Sequence, residues 1–228
     1  MNAADVDQQP ARTSDVWTIV VAGGSGLRFG SRKQFVELHG RSVLQRSIDT
    51  AAGCSSGVVV VVPQDAIDCT GIESSDGVEL RIVAGGDTRA ASVRAGLAEV
   101  PATTGVVLVH DAARPLASAA VFERVIDAVR AGADAAVPVT PLADSIRTRS
   151  GDPVDRADLV AVQTPQGFPV GALRRAHADG ADATDDATLV QATGGTVAMV
   201  DGELWNRKIT DPSDLAAIEA VLEWRASQ

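Results

Sequence analysis

A glycine-rich stretch that ends in basic residues is the first place in this sequence where residue types suggest chemistry. It reads VVAGGSGLRFGSRKQF from Val20 to Phe35, so an apolar run passes into a turn that carries Arg28 and Lys33. Glycine lacks a Cβ, which lets backbone N–H groups approach a ligand, and converging N–H groups attract phosphate. The stretch therefore predicts a phosphate-binding loop in which Arg28 and Lys33 meet the negative charge.

Three common loop motifs do not fit this stretch. A dinucleotide GxGxxG motif that starts at Gly24 would need glycine where Phe29 stands. A Walker loop needs glycine before its lysine and serine or threonine after it, and Lys33 has neither neighbour. A nucleophile elbow centred on Ser25 would need glycine in place of Leu27. Two interpretations remain: a nucleotide-phosphate loop of another type, and a plain strand-to-helix turn with solvent-facing basic residues.

The lysines of the chain are a second indication. Lys33 and Lys208 are the only lysines, whereas the other cationic side chains, histidine aside, are arginines. A general preference for arginine accounts for most of this imbalance. Because the lysine ammonium is a compact point charge that a planar guanidinium does not always replace, the two retained lysines are candidates for function.

A second glycine-containing loop follows another apolar run. The stretch AGGDTRAASVRAGL, residues 84–97, begins with Gly85 and Gly86 and leads into a helical pattern. Paired glycines let the backbone lie against a flat base, and the Ser92 hydroxyl can add a hydrogen bond. This stretch is therefore a candidate site for the nucleoside part of a ligand.

A third loop places polar side chains directly behind a buried run. The stretch VLVHDAARPL, residues 107–116, carries His110, Asp111 and Arg114. A carboxylate at such a position can hold a ribose hydroxyl or a magnesium ion. The alternative is that Asp111 caps a helix or a turn.

These loops need a scaffold that brings them together, and the hydrophobic pattern indicates one. Continuous Val/Ile-rich runs, typical of strands buried on both faces, occupy residues 16–22, 58–63, 80–84, 106–110, 134–139 and 196–201. Helical patterns occupy residues 42–52, 88–100, 118–131 and 211–224. The last begins with Asp211 as N-cap and Pro212 at the first helical position. Alternating strands and helices predict a doubly wound α/β sheet, whose ligands bind beyond the carboxyl ends of the strands.

The chain is expected to form one domain over residues 15–228, because its length suits a single core. Residues 1–14 are polar and are predicted to be a flexible tail. Residues 140–160 interrupt the alternation, being polar and rich in arginine and aspartate, with RSGDP as a turn. They predict a protruding arm or long hairpin.

Composition argues against two classes of protein. The chain has 20 Lys and Arg against 30 Asp and Glu, a formal net charge of -10, which does not suit a general nucleic-acid surface. No apolar run approaches the roughly 20 residues that span a bilayer, and the start lacks the apolar segment of a signal peptide. A cytoplasmic location is therefore expected. Cys54 and Cys69 lack a metal-ligand spacing.

Taken in order, these loops and several shorter motifs resemble the 2-C-methyl-D-erythritol 4-phosphate cytidylyltransferases of the non-mevalonate isoprenoid pathway. From about Val16 to Leu222 the matching stretches are AGGSGLRFGSRKQ, GGDTRAASVRAGL, HDAARP, LADSIR, VDRADL, QTPQGF, TDDA and NRKIT. HDAARP and TPQ together are fairly specific, whereas the GxGxR loop is shared by many nucleotidyltransferases. The resemblance implies a Rossmann-like α/β nucleotidyltransferase fold of the nucleotide-diphospho-sugar transferase type, with an arm that exchanges across a homodimer.

The resemblance also implies a reaction in which CTP and the methylerythritol phosphate give the cytidine diphosphate product and pyrophosphate, with magnesium required. Arg28 and Lys33 would stabilise charge on the α-phosphate, and Arg156 and Lys208 would position the attacking phosphate. Magnesium would be held mainly by the CTP phosphates, with Asp111 as a protein ligand. The residues implied to bind CTP are Ala22, Gly23, Gly24, Ser25, Gly26, Gly85, Gly86, Asp87, Ser92, Asp111 and Ala112. The residues implied to bind the acceptor are Arg114, Ser145 and Thr164.

The chain departs from the family pattern at Arg32, where proline is usual, at Ser145, where threonine is usual, and near Trp205, where an acidic residue is expected before NRKIT. A substrate phosphate is already ionised at neutral pH, so the reaction needs no protein base, and the histidines are scattered at His39, His110 and His177. Three alternatives stay open. They are an acceptor such as ribitol 5-phosphate or another polyol phosphate, a non-catalytic nucleotide-binding protein of the same fold, and a nicotinamide-dependent oxidoreductase.

Overall fold

The computed structural model describes residues 15–23, 32–69, 71–73 and 77–227. Its strands are Val16–Val21 (β1), Glu37–Leu38 (β2), Arg41–Ser42 (β3), Gly57–Val62 (β4), Glu79–Ala84 (β5), Val106–Asp111 (β6), Ala135–Pro141 (β7), Ile146–Arg147 (β8), Pro153–Val154 (β9), Val160–Val162 (β10), Gln166–Pro169 (β11) and Val197–Asp201 (β12). Its α-helices are Val43–Cys54 (α1), Arg89–Glu99 (α2), Ala119–Arg130 (α3), Val170–Ala176 (α4), Asp186–Ala192 (α5) and Pro212–Ala226 (α6). Short 3₁₀ turns lie at Lys33–Phe35 and Gln64–Cys69. Every strand and helix that the hydrophobic pattern predicts is present.

The central sheet is mainly parallel. Its strand order is β10-β7-β11-β6-β1-β4-β5, and β12 pairs with β7. The pairs β1–β4, β1–β6, β4–β5 and β7–β12 are parallel, whereas β11 runs antiparallel between β6 and β7. From β1 the chain builds outward through β4 and β5 and then returns to β6 on the other side of β1. This reversal places a ligand site at the carboxyl ends of β1 and β6, and the predicted α/β class is confirmed.

Helices cover both faces of the sheet. In β1, Val20 packs in a cluster with α1 and α3, whereas Ile19 packs in a cluster with α2, α4 and α5. Each such fully buried side chain contributes about 1.5–3 kcal/mol relative to exposure. Gly96 lets α2 lie close to the sheet, because a Cβ there would come within 2.6 Å of Ile19 Cγ2. Burial on both faces explains why the strands appear in sequence as continuous apolar runs.

The C-terminal helix fixes the segment that precedes it. The side chain of Asp211 caps α6, Asp214 completes the capping box, and Pro212 occupies the first helical position. Ile218 of α6 packs in a small cluster with Ile209, which is fully buried. Because Ile209 is fixed in this way, the neighbouring lysine of the NRKIT motif has a defined place.

The segment predicted as an arm contains a two-stranded hairpin. Strands β8 and β9 pair antiparallel, and Gly151 in the turn between them has φ +101°. The part of this hairpin over residues 147–153 is exposed to solvent. Residues 1–14, predicted to be a flexible tail, lie outside the described residues. Among the described helices, none combines the length and hydropathy that crossing a membrane requires.

Candidate active site

The loops after β1, β5 and β6 begin side by side at the carboxyl edge of the sheet. The backbone N–H groups of Ala22 and Gly85 each donate to a carbonyl at the end of β4, both at 2.7 Å. The N–H group of Ala112 donates to the last carbonyl of β1 at 3.0 Å. Three motifs that are far apart in the chain therefore share one edge, as the sheet topology predicts.

Ser92 braces the glycine loop after β5. Its hydroxyl donates to the carbonyl oxygens of Thr88 at 3.0 Å and Gly86 at 3.3 Å. A Cβ on Gly85 would come within 2.7 Å of the Ser92 Oγ, and a Cβ on Gly23 would come within 3.2 Å. Glycine at position 85 therefore lets the loop after β5 lie against Ser92, and Gly23 lets the loop after β1 approach the same hydroxyl. A direct contact of Ser92 with CTP stays a prediction.

Lys33 connects the first loop to the segment that carries the other lysine. Its Nζ donates to the carbonyl oxygen of Ile209 at 2.5 Å. The side chain of Gln34, which is buried, donates to the carbonyl oxygen of Ala22 at 2.9 Å. The 3₁₀ turn that begins at Lys33 is thus fixed both to the end of β1 and to the residue that follows Lys208. The predicted loop residues that lie outside the described residues are Gly24, Ser25, Gly26 and Arg28.

Asp111, at the end of β6, is buried and shared by two cations. Its Oδ2 lies 2.7 Å from Lys208 Nζ, and its Oδ1 lies 3.4 Å from Arg89 Nε. Burial alone would raise the pKa of the Asp111 carboxyl, but the positive charges of Lys208, Arg89 and Arg114 outweigh it. The pKa therefore lies well below its usual range, and Asp111 is a carboxylate at neutral pH.

Arg114 and Thr164 complete the edge of the site on the β10 side. Arg114 Nη1 donates to the Asn206 carbonyl oxygen at 2.7 Å, and its Nη2 donates to the Val162 carbonyl oxygen at 3.4 Å. Thr164 Oγ1 accepts from the backbone N–H of Asp111 at 3.0 Å, and Asn206 Nδ2 donates to the Thr164 carbonyl oxygen at 2.9 Å. These bonds tie two predicted acceptor residues to the loop that carries Asp111.

Three predicted site residues stand apart from this cluster. Arg156 donates to the carbonyl oxygens of Leu142 and Ala143 inside the arm. Ser145 also belongs to the arm and is exposed. Asp87 is exposed beyond the glycine loop. Within the described part of a single chain, Arg156 and Ser145 form no hydrogen bond with the residues that surround Asp111. Their roles stay predictions.

His110 is fully buried beside the site. Its Nδ1 lies 3.2 Å from Thr164 Oγ1, and its Nε2 is buried without a hydrogen-bond partner among the described residues. Burial lowers the pKa of His110 to about 4, although the charge of Asp111 acts in the opposite direction. A neutral, enclosed imidazole is poorly placed to exchange protons with a substrate, so we assign His110 no catalytic role.

The buried histidine predicts an acid-sensitive fold. Below about pH 6.5 the unfolded chain protonates this side chain while the folded chain does not, so the unfolding free energy falls as the pH drops from about 6.5 to about 4. In His110→Gln the unfolding free energy is expected to fall by roughly 3 kcal/mol less than in wild type over this pH range. Urea unfolding at several pH values measures the difference. His39→Asn is the control, because His39 is exposed and Asn tolerates its φ of +49°. Equal pH slopes for wild type and His110→Gln would contradict the prediction.

Several residues of the site were not predicted from the sequence. Gln34 and Asn206 are buried and hold the two lysine segments in place. Their side-chain amides donate to the carbonyl oxygens of Ala22 and Thr164, respectively. Arg89 joins Asp111 to a second carboxylate, Asp186, which is fully buried against His177. Arg89 and Asp186 do lie in the GGDTRAASVRAGL and TDDA motifs, so the motifs themselves were the available signal.

The described residues do not form a metal cage of their own. No group of three or more His, Cys, Asp or Glu side chains among them has the geometry to hold a metal ion. Both oxygens of Asp111 face cations. Magnesium commonly binds through one or two carboxylates together with substrate phosphates and waters. A single carboxylate such as Asp111 therefore fits a magnesium ion that is held together with substrate phosphates.

A mainly parallel sheet whose glycine loops share one edge with two lysines and an arginine is the architecture of a nucleotidyltransferase. The chain belongs to the 2-C-methyl-D-erythritol 4-phosphate cytidylyltransferase family, whose model matches residues 16–224. The resemblance predicted from the motifs is thereby confirmed.

Sequence relatives and solved structures agree on this family. The chain is 43% identical to the 2-C-methyl-D-erythritol 4-phosphate cytidylyltransferase of Rhodococcus jostii over 91% of this chain and 95% of that protein. It is 40% identical to the same-named protein of Nocardia farcinica, with 100% of both chains covered. The crystal structure of the Thermus thermophilus cytidylyltransferase matches with a TM-score of 0.77 and 36% identity over 92% of this chain and 100% of that chain. The 4-diphosphocytidyl-2C-methyl-D-erythritol synthase of Anaerococcus prevotii matches with a TM-score of 0.80 and 28% identity over 92% and 99%.

Proposed function

We propose that this protein transfers CMP from CTP to 2-C-methyl-D-erythritol 4-phosphate, releasing pyrophosphate. The observation that carries the proposal is that Lys33 is hydrogen-bonded to the segment that carries the other lysine. Lys33 Nζ binds the carbonyl of Ile209, the residue next to Lys208, and the loops after β1 and β5 begin side by side at one edge of the sheet. Two ammonium groups beside these loops suit a reaction that joins two phosphorylated substrates. Membership of the family supports the identity of both substrates.

In the proposed step, an oxygen of the acceptor phosphate attacks the α-phosphorus of CTP. A new P–O bond forms, the bond to the bridging α–β oxygen breaks, and pyrophosphate leaves with that electron pair. No proton has to move, because the acceptor oxygen is already ionised. The barrier comes from bringing two polyanions together and from charge spreading over the α-phosphate, so positioning and fixed positive charge supply most of the catalysis.

The residues divide between the two substrates. Lys33, together with Arg28, would stabilise the α-phosphate. Lys208, oriented by Asp111, would hold the attacking phosphate, with Arg156 from the arm. Arg114, Ser145 and Thr164 would line the acceptor pocket. The loop groups assigned to the cytosine and ribose are the backbone at Ala22, Gly23, Gly85, Gly86, Asp87 and Ala112, with Ser92 and Asp111. A cytoplasmic location stays a prediction.

Magnesium is part of the proposal. When bound, it would neutralise part of the triphosphate charge and orient the leaving pyrophosphate. It would be held mainly by the phosphates of CTP, with Asp111 as the protein carboxylate offered to it. The chain's own contribution is to keep Asp111 ionised, which the neighbouring cations do.

A pyrophosphate-release assay tests the proposal. Purified protein is incubated with CTP, magnesium and either methylerythritol 4-phosphate or ribitol 5-phosphate. The rates of pyrophosphate release with the two acceptors are then compared. We expect turnover with the first acceptor and little with the second. Turnover with ribitol 5-phosphate alone would keep the mechanism and replace the acceptor. A folded protein that binds CTP but releases no pyrophosphate with either acceptor would reject the assignment.

The arm suggests how the site is completed. We propose a homodimer in which Arg156 acts in the partner's site, because its segment is a polar, exposed hairpin and its guanidinium bonds only within the described arm. Mixing Arg156→Ala protein with Lys33→Ala protein then creates heterodimers with one intact site. Random exchange is expected to restore about a quarter of wild-type activity.

A second mixture serves as the control for this experiment. Lys33 and the Lys208 segment are bonded within one chain, so mixing Lys33→Ala with Lys208→Ala leaves every site lacking one lysine and is expected to restore nothing. If subunits exchange and the Arg156→Ala mixture also stays inactive, Arg156 does not act across the dimer.

A further inference from the structure

The connection between α4 and α5, residues 177–185, and the first residue of α5 lie against the start of α2, where the candidate cytosine loop ends. Thr88 Oγ1 lies 2.9 Å from Asp182 Oδ1, and Arg94 Nη1 donates to the Ala181 carbonyl oxygen at 3.1 Å. The strongest contact joins Arg89 to Asp186, at 2.6 Å between Nη1 and Oδ2. None of these contacts is used by the mechanism derived above.

Asp186 is enclosed between two side chains. Its residue is 0% exposed and that of His177 is 4% exposed, with 3.0 Å between His177 Nε2 and Asp186 Oδ1. An ionised carboxylate only accepts hydrogen bonds, so Nε2 carries the hydrogen. His177 Nδ1 is buried and has no hydrogen-bond partner among the described residues. His177 therefore holds Asp186 by one fixed hydrogen bond.

Arg89 connects this buried pair to Asp111. Its short contact goes to Asp186, at 2.6 Å, and its contact to Asp111 is long, at 3.4 Å. Lys208 has the short contact to Asp111, at 2.7 Å. Negative and positive charges thus alternate from the interior to the acceptor side of the site. We call these four residues the charged row: Asp186, Arg89, Asp111 and Lys208. Two cations compete for one carboxylate at Asp111, and the uneven distances show that Lys208 has the closer place.

We propose that Asp186, held by His177, is a positioning residue that neutralises Arg89 and so leaves Asp111 free to orient Lys208. Without the Asp186 charge, the Arg89 guanidinium would form a closer ion pair with Asp111. In a low-dielectric site the attraction between an uncompensated cation and a nearby carboxylate is strong. Lys208 would then lose its fixed position. This inference rests on the proposed role of Lys208 in holding the attacking phosphate.

The charge argument predicts an unusual rescue. Asp186→Asn keeps the size of the side chain and is expected to lower kcat/KM for the acceptor roughly 10-fold, because a displaced ammonium no longer positions the phosphate. Adding Arg89→Gln removes the competing cation, and the double variant is expected to recover most of the lost activity. A merely structural role for Asp186 predicts the opposite, namely a double variant as poor as the single one or poorer.

A matched control uses an ion pair at the opposite edge of the sheet. Asp15 Oδ1 lies 2.8 Å from Arg130 Nη2 before β1, so Asp15→Asn removes an ion pair of similar length, at an exposed position, without touching Asp186, Arg89, Asp111 or Lys208. It is expected to leave kcat/KM unchanged. Unfolding free energies of all variants are measured in parallel, so that activity is compared per folded molecule.

A second readout does not depend on activity. Because the chain has two lysines, reductive methylation with ¹³C-formaldehyde labels only Lys33, Lys208 and the N-terminus. The Lys208 signal, assigned by its loss in Lys208→Arg, is expected to shift in Asp186→Asn and to return in Asp186→Asn/Arg89→Gln. If Asp186→Asn does not fold, His177→Phe, which removes the Nε2 donor together with the unbonded Nδ1, is expected to shift the signal in the same direction.

The two readouts separate failure of this inference from failure of the proposed function. A wild type that releases no pyrophosphate, while the Lys208 signal responds as expected, keeps the positioning role and rejects the reaction. An active wild type whose Lys208 signal is unmoved in folded Asp186→Asn or His177→Phe overturns the positioning role, and so does an absence of rescue by Arg89→Gln.

Discussion

Replacing Lys33 by alanine is expected to lower turnover about 100- to 1,000-fold, the usual loss when one preorganised charge at a developing oxyanion is removed. Its ammonium donates to the carbonyl oxygen of Ile209, the residue that follows Lys208, at 2.5 Å. That bond contributes about 1 kcal/mol to folding, so the variant should remain folded. Steady-state pyrophosphate release, with unfolding measured alongside, tests both parts.

Two further variants sharpen this test. Lys33→Arg is expected to be poor as well, because the guanidinium is broader than an ammonium and would displace the phosphate. Arg32→Ala is the neighbouring control: Arg32 pairs with Asp65 at 2.5 Å, and both side chains are well exposed. Such a pair contributes little, so activity should stay near wild type. A Lys33→Ala enzyme with the wild-type rate would remove Lys33 from the mechanism.

The scaffold was predictable because burial on both faces leaves a simple trace in sequence. β1, β4 and β6 are fully or almost fully buried and appear as unbroken apolar runs, and the helices between them begin at recognisable caps such as Ser42 and Thr88. Once the strands are parallel, the loops that follow them must share one edge. The convergence of the first three motifs therefore follows from the pattern alone.

Strand β11 could not be predicted in the same way. Its sequence is QGFP, and glycine and proline both argue against a strand interior. Tertiary packing determines that glycine stands in this strand, because a Cβ on Gly167 would come within 2.5 Å of Val125 Cγ1. Glycine is required there by the close approach of α3, which no local pattern reveals.

The contacts within the charged row also could not be predicted from the sequence. Arg89 and Asp186 are separated by 97 positions, as are Asp111 and Lys208. Charged residues are common in this chain, and their spacing carries no sign of which two will meet. Only the tertiary fold, which brings the first residue of α5 beside the first residue of α2 and Lys208 beside the end of β6, pairs them. The motif resemblance located Asp111 and Lys208, but it gave Arg89 and Asp186 no role.

Lys208→Ala is the second change with a large expected effect, again about 100- to 1,000-fold in turnover. The substitution removes the cation that would hold the attacking phosphate, and it leaves Asp111 with Arg89 at 3.4 Å as its remaining close cation. A buried carboxylate that has lost its shortest ion pair would repel the acceptor phosphate. The loss should therefore include a raised KM for the acceptor, whereas CTP binding, measured by calorimetry, should change little.

The same substitution changes how stability depends on pH. In the wild type the pKa of Asp111 is depressed despite burial, so this residue stabilises the fold above the unfolded pKa of about 3.9, and the contribution is lost as the pH falls through the lower folded value. Without Lys208 the folded pKa rises. The variant is therefore expected to be less stable than wild type at neutral pH, and the difference should shrink below about pH 4.

Arg207→Ala is the matched control for Lys208, because Arg207 is the preceding residue, is exposed, and makes only a 3.6 Å contact with Asp214. It should leave turnover and the pH profile unchanged. If Lys208→Ala lowers stability and yet turns over like Arg207→Ala, then Lys208 serves the fold by neutralising Asp111. The attacking phosphate must in that case be held by the arm and Arg114. If turnover collapses while CTP still binds, the acceptor side of the site is where Lys208 acts.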